Sequence, residues 1–378
     1  MSAPDAISVQ TLAAAPHTTA PRFHWLRVAE ARRETKDAIS VTFDIPPELR
    51  SLYAFRAGQY LTLRTTLDGE EVRRSYSICS GADDGELRIA VKRLDGGQFS
   101  VWAQDELRPG TPIEVMTPTG RFGIPAEGQS RLDGRVHVAF AAGSGITPVL
   151  SILKTVLSRE PASRFFLFYG SRTIGEIMFR GVLEDLKDRH LGRLSVFHVL
   201  SQEQQDVDVL NGRLDGTKVE LLLRRILGGA AIDSAYICGP EEMIAGVEAA
   251  LAAFGVPEER VQLERFTSVL NGRPRVTVPA TSEAVPFASA SLIVDGIRSE
   301  VPIAEGEAVL DAALRAGLDL PFSCKGGMCS TCRAKVLEGS VEMELNYSLE
   351  KWETDAGFVL TCQSRPTSRH VVIDYDRQ

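Results

Sequence analysis

CKGGMCSTC, from Cys324 to Cys332, is followed after 29 intervening residues by a fourth cysteine, Cys362. C-x4-C-x2-C followed by one distant cysteine is a ligand spacing of [2Fe–2S] clusters. That chemistry asks for four thiolates converging on two irons, with backbone N–H groups turned towards the sulfurs. Gly326 and Gly327 can take the positive φ that a wrapping loop needs, and Ser330 and Thr331 are small enough for close backbone approach. The rival is a structural zinc site, but zinc modules usually bring two close pairs of ligands, whereas here three share a loop and the fourth stands alone. Four unrelated buried cysteines at this spacing would be a large coincidence. Cys324, Cys329, Cys332 and Cys362 are therefore the candidate metal ligands. Cys79 and Cys238 are isolated, so the six cysteines do not read as a disulfide scaffold.

Around this loop, residues 289–378 read as an α+β unit. A hairpin, LIVDGIRSEV, turns at Asp295-Gly296; a helix, EAVLDAALRAG, precedes the cysteines; a second hairpin, CRAKVLEGSVEM, and a last strand, VVIDYD, follow. The stretch SCKGGMCSTCRAKVLEG resembles the loop of plant-type ferredoxins, which implies a β-grasp fold for this module. From Ser291 onward there are 14 acidic and 9 basic residues, a net of −5 within a chain total of −8. Such a balance argues against nucleic acid as a partner. An acidic module can dock on a basic partner, and a solvated surface explains it equally well.

Upstream, residues 269–288 have the Pro, Ser, Thr and Ala content of a linker. Residues 1–20 read as a disordered tail that lacks the basic start of a signal peptide. No apolar run approaches the ~18 residues of a membrane span. The expectation is a cytoplasmic protein with no membrane contact.

Two regimes fill the remainder of this multidomain chain. Residues 21–126 contain AISVTFDIP, QYLTLRTTLDGEEVRRSYSICS, ELRIAVKRL and TPIEVMTPTG, short strands whose spacing predicts an antiparallel β-barrel. Residues 127–268 alternate buried strands (RVHVAFAA, RFFLFYG, LSVFHVLS, SAYICG) with amphipathic helices, which predicts a Rossmann-like α/β domain with a parallel sheet. In TPVLSILKTVLSRE, Val149, Leu150, Leu153, Val156 and Leu157 fall on one helical face.

Within the barrel, Arg74, Ser75, Tyr76 and Ser77 offer what a flavin asks for: a cation for phosphate, an aromatic surface and a hydroxyl near the reactive nitrogen. Downstream, VKRLDGGQFS contributes Val91, Lys92, Gly96, Gly97 and Ser100, where a helix N-terminus would meet a pyrophosphate. In the α/β half, AAGSGITP places Gly143, Ser144, Gly145, Ile146, Thr147 and Pro148 between a strand and a helix, as dinucleotide sites require. A later strand ends in ICGPEEM, contributing Cys238, Gly239, Pro240, Glu241 and Met243. In isolation Cys238 reads equally well as a buried core thiol.

These motifs, in this order, resemble the ferredoxin–NADP reductase family. The resemblance implies flavin on Arg74, Tyr76 and Ser77, with Ser100 near its pyrophosphate. It implies a nicotinamide dinucleotide on Gly143 to Pro148, with Cys238-Gly239-Pro240 beside the nicotinamide. Plant members end on a tyrosine that stacks on flavin; here the chain continues, and Phe266 is the candidate cover. Ser77, Cys238 and Phe266 are thus the expected catalytic residues. Ser171 and Arg172 are placed to grip a 2′-phosphate. Where the family often has Ser-Arg-Glu-Gln, this chain reads Ser201-Gln202-Glu203-Gln204, and Arg213 is the candidate to replace the missing arginine. FAD is expected, with FMN as the alternative; NADPH is favoured over NADH.

A nicotinamide gives up two electrons as one hydride and a [2Fe–2S] cluster accepts one at a time, so a flavin between them is the converter. Electrons then run from NADPH to flavin to cluster to an outside acceptor. None of the six histidines forms an E-x-x-H or H-E-x-x-H pair, so the terminal chemistry falls to a partner. Reductase first and ferredoxin last resembles the reductases of oxygenases. FLFYGSRT and HVLSQEQQDVDVLNGRLDGTKVE resemble the reductase subunits of phenylacetyl-CoA epoxidases, which implies a di-iron oxygenase as acceptor. The alternatives are the reductase of a steroid or ring hydroxylase, or a stand-alone flavin dehydrogenase whose ferredoxin module senses redox state.

Overall fold

The structure, a computed structural model, describes residues 21–124, 134–266 and 287–377. The expected tail and most of the expected linker lie outside the described residues.

Six strands form the first sheet: β1 (Phe23–Thr35), β2 (Ala38–Asp44), β3 (Tyr60–Leu67), β4 (Glu70–Ser77), β5 (Leu87–Lys92) and β6 (Pro112–Met116). Their order is β4-β3-β6-β1-β2-β5, all neighbours antiparallel. A bridge from Ile78 to Ile89 joins the two ends, closing the sheet into a barrel. Alternation puts Leu61, Leu63, Val72, Ile89 and Val115 inside. The long β1 escaped the strand pattern because two register irregularities, between Val28 and Glu30 and between Arg33 and Thr35, break its period of two. Between β5 and β6 lies α1 (Gln98–Glu106), opening after Gly97 as expected.

The second unit runs β7 (Val136–Ala142), α2 (Ile146–Arg159), β8 (Arg164–Ser171), α3 (Arg180–Arg189), β9 (Leu194–Leu200), α4 (Gly216–Leu227), β10 (Ser234–Gly239), α5 (Glu241–Phe254) and β11 (Val261–Arg265). Its parallel order, β11-β10-β7-β8-β9, reverses direction between β7 and β10. In doubly wound sheets that reversal opens a ligand crevice at the carboxyl ends of the strands. Leu153 and Val156 of α2 with Leu183 of α3 cover one face, and Val219 of α4 with Val247 of α5 cover the other. Helix α2 is buried on more than its predicted face, because the barrel covers its far side. Ser151 Oγ donates to the Ser80 carbonyl at 2.6 Å, and Thr155 Oγ1 accepts from Ala82 N at 3.0 Å.

The last unit comprises β12 (Ala288–Val294), β13 (Ile297–Ile303), α6 (Val309–Arg315), β14 (Arg333–Glu338), β15 (Val341–Met343), α7 (Lys351–Asp355), β16 (Phe358–Leu360), β17 (Ser364–Pro366) and β18 (His370–Asp374). The main sheet, β13-β12-β18-β14-β16, has β12 and β18 parallel and its other pairs antiparallel, with Val309 and Leu310 of α6 in its core. The expected hairpin CRAKVLEGSVEM does not form. β14 takes β16 and β18 as neighbours, and β15 turns away at Gly339 to pair with β17. Sequence proximity suggested a hairpin; the central position of β14 filled both of its edges.

The acidic unit sits on the barrel through arginines. Arg73 reaches Asp319 at 2.9 Å and the Leu320 carbonyl at 3.1 Å, with its guanidinium 4.0 Å above the Phe322 ring centre. Arg121 pairs with the fully buried Glu353, which also holds Arg333 at 2.8 Å. Arg22 pairs with Asp295 at 2.6 Å. Of these contacts only the Arg22–Asp295 pair is exposed on both sides, and such a pair is worth about 0–1 kcal/mol. Arg73 and Glu353 are buried, so removing one partner there leaves an uncompensated charge out of water.

Candidate functional site

Two cavities meet along β4. One, of about 1190 Å³, extends from β4 and the start of α1 to the carboxyl ends of β7 to β10. The other, of about 1090 Å³, lies between β4, β11 and the cysteine loop. Arg74, Ser75, Ser77 and Phe266 line both.

On the barrel side, Tyr76 is held by its ring against Phe99, 5.6 Å between centres, and Phe99 rests on Trp102. Lys92, Gly96, Gly97 and Ser100 line the first cavity at the opening of α1, where free N–H groups suit an anion. Ser100 also ties the turn internally, accepting from Leu94 N at 3.0 Å. Val91 does not face the cavity. The strand's alternation sends its side chain into the barrel core, and its carbonyl accepts from Gln104.

On the α/β side, Gly143 (φ 55), Ser144 and Thr147 face the first cavity, whereas Ile146 and Pro148 are buried beneath it. Gly145 was expected to admit a dinucleotide. It instead lets two loops touch, since a Cβ there would come within 2.1 Å of the Cys238 carbonyl oxygen. Gly239, Pro240 and Met243 line the cavity, while Glu241 turns to Arg265 at 3.0 Å. Ser171 and Arg172 lie beside Ser201 and Gln202 in the lining, the two loops joined by Gln202 N to the Arg172 carbonyl at 2.8 Å. Arg172 Nε donates to Glu176 at 2.5 Å, and its Nη2 lies 3.9 Å from Asp37, so the guanidinium is oriented by two carboxylates at the rim of the cavity. Arg213 also lines this end, 3.4 Å from Glu242.

Glu264 is the functional candidate that sequence reasoning missed. It stands across the parallel ladder from Cys238 and accepts from Ser77 Oγ at 3.1 Å. Burial pushes its carboxyl up to about 8, opposed only by the Ser77 hydrogen bond. Burial, and then the Glu264 charge, also hold the Cys238 thiol well above its ordinary range. Nothing in VQLERF marked this glutamate, because its partners come from the barrel and from β10. Phe266, just beyond β11 and exposed, borders both cavities.

In the cysteine loop the thiols fall into two neighbouring pairs, Cys324 with Cys329 and Cys332 with Cys362. Among the described residues no group of three or more His, Cys, Asp or Glu converges on one ion. Two neighbouring pairs of thiols suit a binuclear cluster. Cys324 N points to the Cys329 sulfur at 3.4 Å, Gly326 N to Cys324 at 3.3 Å, and Thr331 Oγ1 to Cys329 at 3.2 Å. The Cys329 neighbour, then the N–H groups of Gly326, Met328 and Cys329, lower the Cys324 thiol to about 6, against a burial effect. These donors fit an anionic iron–sulfur group. Of the two glycines expected at positive φ, only Gly327 (φ 76) takes it; Lys325 (φ 49) and Ser330 (φ 53) make the other reversals. The loop lies closer to the barrel than any spacing rule could indicate.

Barrel, nucleotide crevice and cysteine loop together define a flavin- and iron–sulfur-dependent oxidoreductase. An oxidoreductase FAD-binding domain matches residues 26–124, an oxidoreductase NAD-binding domain residues 140–249, and a 2Fe-2S iron-sulfur cluster binding domain residues 292–367. The chain is 46% identical to a component of the 1,2-phenylacetyl-CoA epoxidase of Escherichia coli K12, over 94% of this chain and 98% of that one. It is 34% identical to the ferredoxin reductase component of 3-ketosteroid-9-alpha-monooxygenase from Rhodococcus rhodochrous, over 93% and 96%. Phthalate dioxygenase reductase shares its fold, with a TM-score of 0.56 at 22% identity over 93% of this chain and 98% of that one. The chain belongs to the family of ferredoxin-reductase-type electron-transfer components of oxygenases, with flavin, nucleotide and C-terminal [2Fe–2S] domains. No helix among the described residues is long and apolar enough to cross a membrane.

Proposed function

We propose that this chain passes electrons from NADPH by way of FAD and the [2Fe–2S] cluster to a di-iron oxygenase, as the reductase subunit of a phenylacetyl-CoA epoxidase in aerobic phenylacetate degradation. The observation that carries the reading is the meeting of two cavities on one strand: Arg74, Ser75, Ser77 and Phe266 border the nucleotide crevice on one side and the cysteine loop on the other. The 46% identity to the Escherichia coli epoxidase component supports the choice of acceptor. When bound, flavin and cluster together turn a two-electron hydride donor into single-electron output.

The chain's own residues do the rest. Arg74 and the α1 N-terminus hold phosphate, Tyr76 offers its ring as a wall, and Phe266 covers the opposite side until nucleotide arrives. Ser77, backed by Glu264, presents a hydroxyl where hydride is received. Cys238-Gly239-Pro240 border the nicotinamide position. Cys324, Cys329, Cys332 and Cys362 hold the irons. The test is reconstitution: with the purified oxygenase subunits of a phenylacetyl-CoA epoxidase, NADPH oxidation should become dependent on phenylacetyl-CoA and yield its epoxide. Coupling to a steroid or ring hydroxylase alone would reassign the acceptor.

Ser171, Arg172 and Arg213 are the residues proposed to recognise the 2′-phosphate. A charge-assisted contact of this kind contributes about 1.5–3 kcal/mol. Arg172→Ala is therefore expected to raise KM for NADPH by roughly tenfold or more and to leave KM for NADH within about twofold. Steady-state kinetics with both nucleotides check this; equal effects on both would withdraw the NADPH assignment.

A further inference from the structure

Tyr60 belongs to the barrel, yet its hydroxyl lies in the cysteine loop. It donates to the Cys329 carbonyl and lies 2.9 Å from Thr331 Oγ1. Thr331 Oγ1 in turn donates to the Cys329 sulfur at 3.2 Å. Tyr60 is also the register partner of Ser77 across β3 and β4. One strand pair thus has a candidate flavin contact at Ser77 and a hydrogen-bonded path to a cluster ligand at Tyr60. The ring has little freedom to leave: it is 5% exposed, and Gly120 packs so closely that a Cβ there would meet Tyr60 Cδ1 at 2.9 Å. Beside it, Ser75 Oγ meets Ser323 Oγ at 2.8 Å, a second barrel hydroxyl on the segment leading into the loop. Cys324 and Cys329 line the cavity that β4 shares, while Cys332 and Cys362 do not.

The geometry points to Tyr60 as a positioning residue for electron entry, which holds the Cys324/Cys329 half of the cluster site against the flavin strand through its hydrogen bond to the Cys329 carbonyl, with Thr331 packed beside it. The inference rests on the electron route proposed above and adds the point of entry. In the step served, reduced flavin loses one electron and the oxidised cluster gains it. Tyr60 keeps its proton, and no bond to it forms or breaks.

The test uses the full chain carrying both prosthetic groups, mixed rapidly with NADPH without air. In Tyr60→Phe, which keeps the packed ring, flavin reduction should proceed at the wild-type rate. The cluster reduction that follows should slow by about tenfold, the effect of losing one hydrogen bond that keeps two modules in register. The cluster midpoint potential should not move, and amide hydrogen exchange across residues 330–333 should quicken. Thr331→Val should slow the same step and also lower the potential, because it removes a donor from the Cys329 sulfur. Cluster reduction at the wild-type rate in Tyr60→Phe would overturn the inference, as would a slowing fully explained by a shifted potential. If the wild-type cluster stayed oxidised after flavin reduction, the proposed route itself would fall, and this inference with it.

Discussion

Cys329→Ser is expected to lower turnover with the oxygenase acceptor by roughly 100-fold or more, while NADPH-driven reduction of an artificial dye continues. Losing a group that merely supports a metal ligand already costs about 10–100-fold in affinity or activity, and here a ligand itself is changed. Cys329 also receives the Thr331 hydroxyl and the Cys324 N–H within the loop, and its carbonyl takes the Tyr60 hydroxyl from the barrel. The dye reaction needs only the nucleotide crevice and β4, which lie across the shared wall. Iron content, the visible spectrum and the two turnover assays on one preparation make the comparison. Undiminished turnover with the oxygenase would mean that electrons bypass the cluster, leaving a stand-alone flavin dehydrogenase as the better description.

What could be read from the sequence and what could not divide along a physical line. The cysteine quartet, RSYS, AAGSGITP and ICGPEEM are local: each needs certain residue types at short spacing, and their order implied barrel, parallel sheet and β-grasp. Glu264 could not be read this way. It lies on β11, a short edge strand of half-buried residues, and its role comes from the register against Cys238 and from Ser77, 187 positions away. Tyr60 was quoted only as part of a strand, because its partner Cys329 is 269 positions distant in another domain. Val91 and Gly145 show the same limit in their side-chain placement. A motif indicates that a segment borders a ligand, but strand alternation and loop packing decide which atoms face it. The acid–base matching of domains was half visible: the negative balance of the last module was counted, but not the arginines Arg22, Arg73 and Arg121 that receive it.

On the proposed electron route, Glu264 is expected to make the reductive half-reaction sensitive to pH. With its carboxyl pushed up to about 8 by burial, the side chain is mostly protonated at neutral pH. Ionisation would place a negative charge against Ser77, at the position where the proposed hydride transfer delivers further negative charge. Hydride transfer should therefore be fastest below pH 7 and fall as pH rises through about 8. Glu264→Gln, neutral at every pH, should remove that fall while retaining much of the rate. Ser77→Ala, which deletes the hydroxyl itself, should lower the rate by about 100-fold at all pH values, within the range seen for positioned proton-handling groups. Stability of the apoprotein should move in the same direction. Between about 4.5 and about 8 the unfolded chain has released this proton and the folded chain has kept it. The folded state thus loses stability as pH rises across that window, and Glu264→Gln should flatten this part of the profile. Rapid-mixing rates and melting temperatures from pH 5 to 9 test both statements. A wild-type rate that did not change between pH 7 and pH 9 would remove Glu264 from the hydride site and leave Ser77 acting alone.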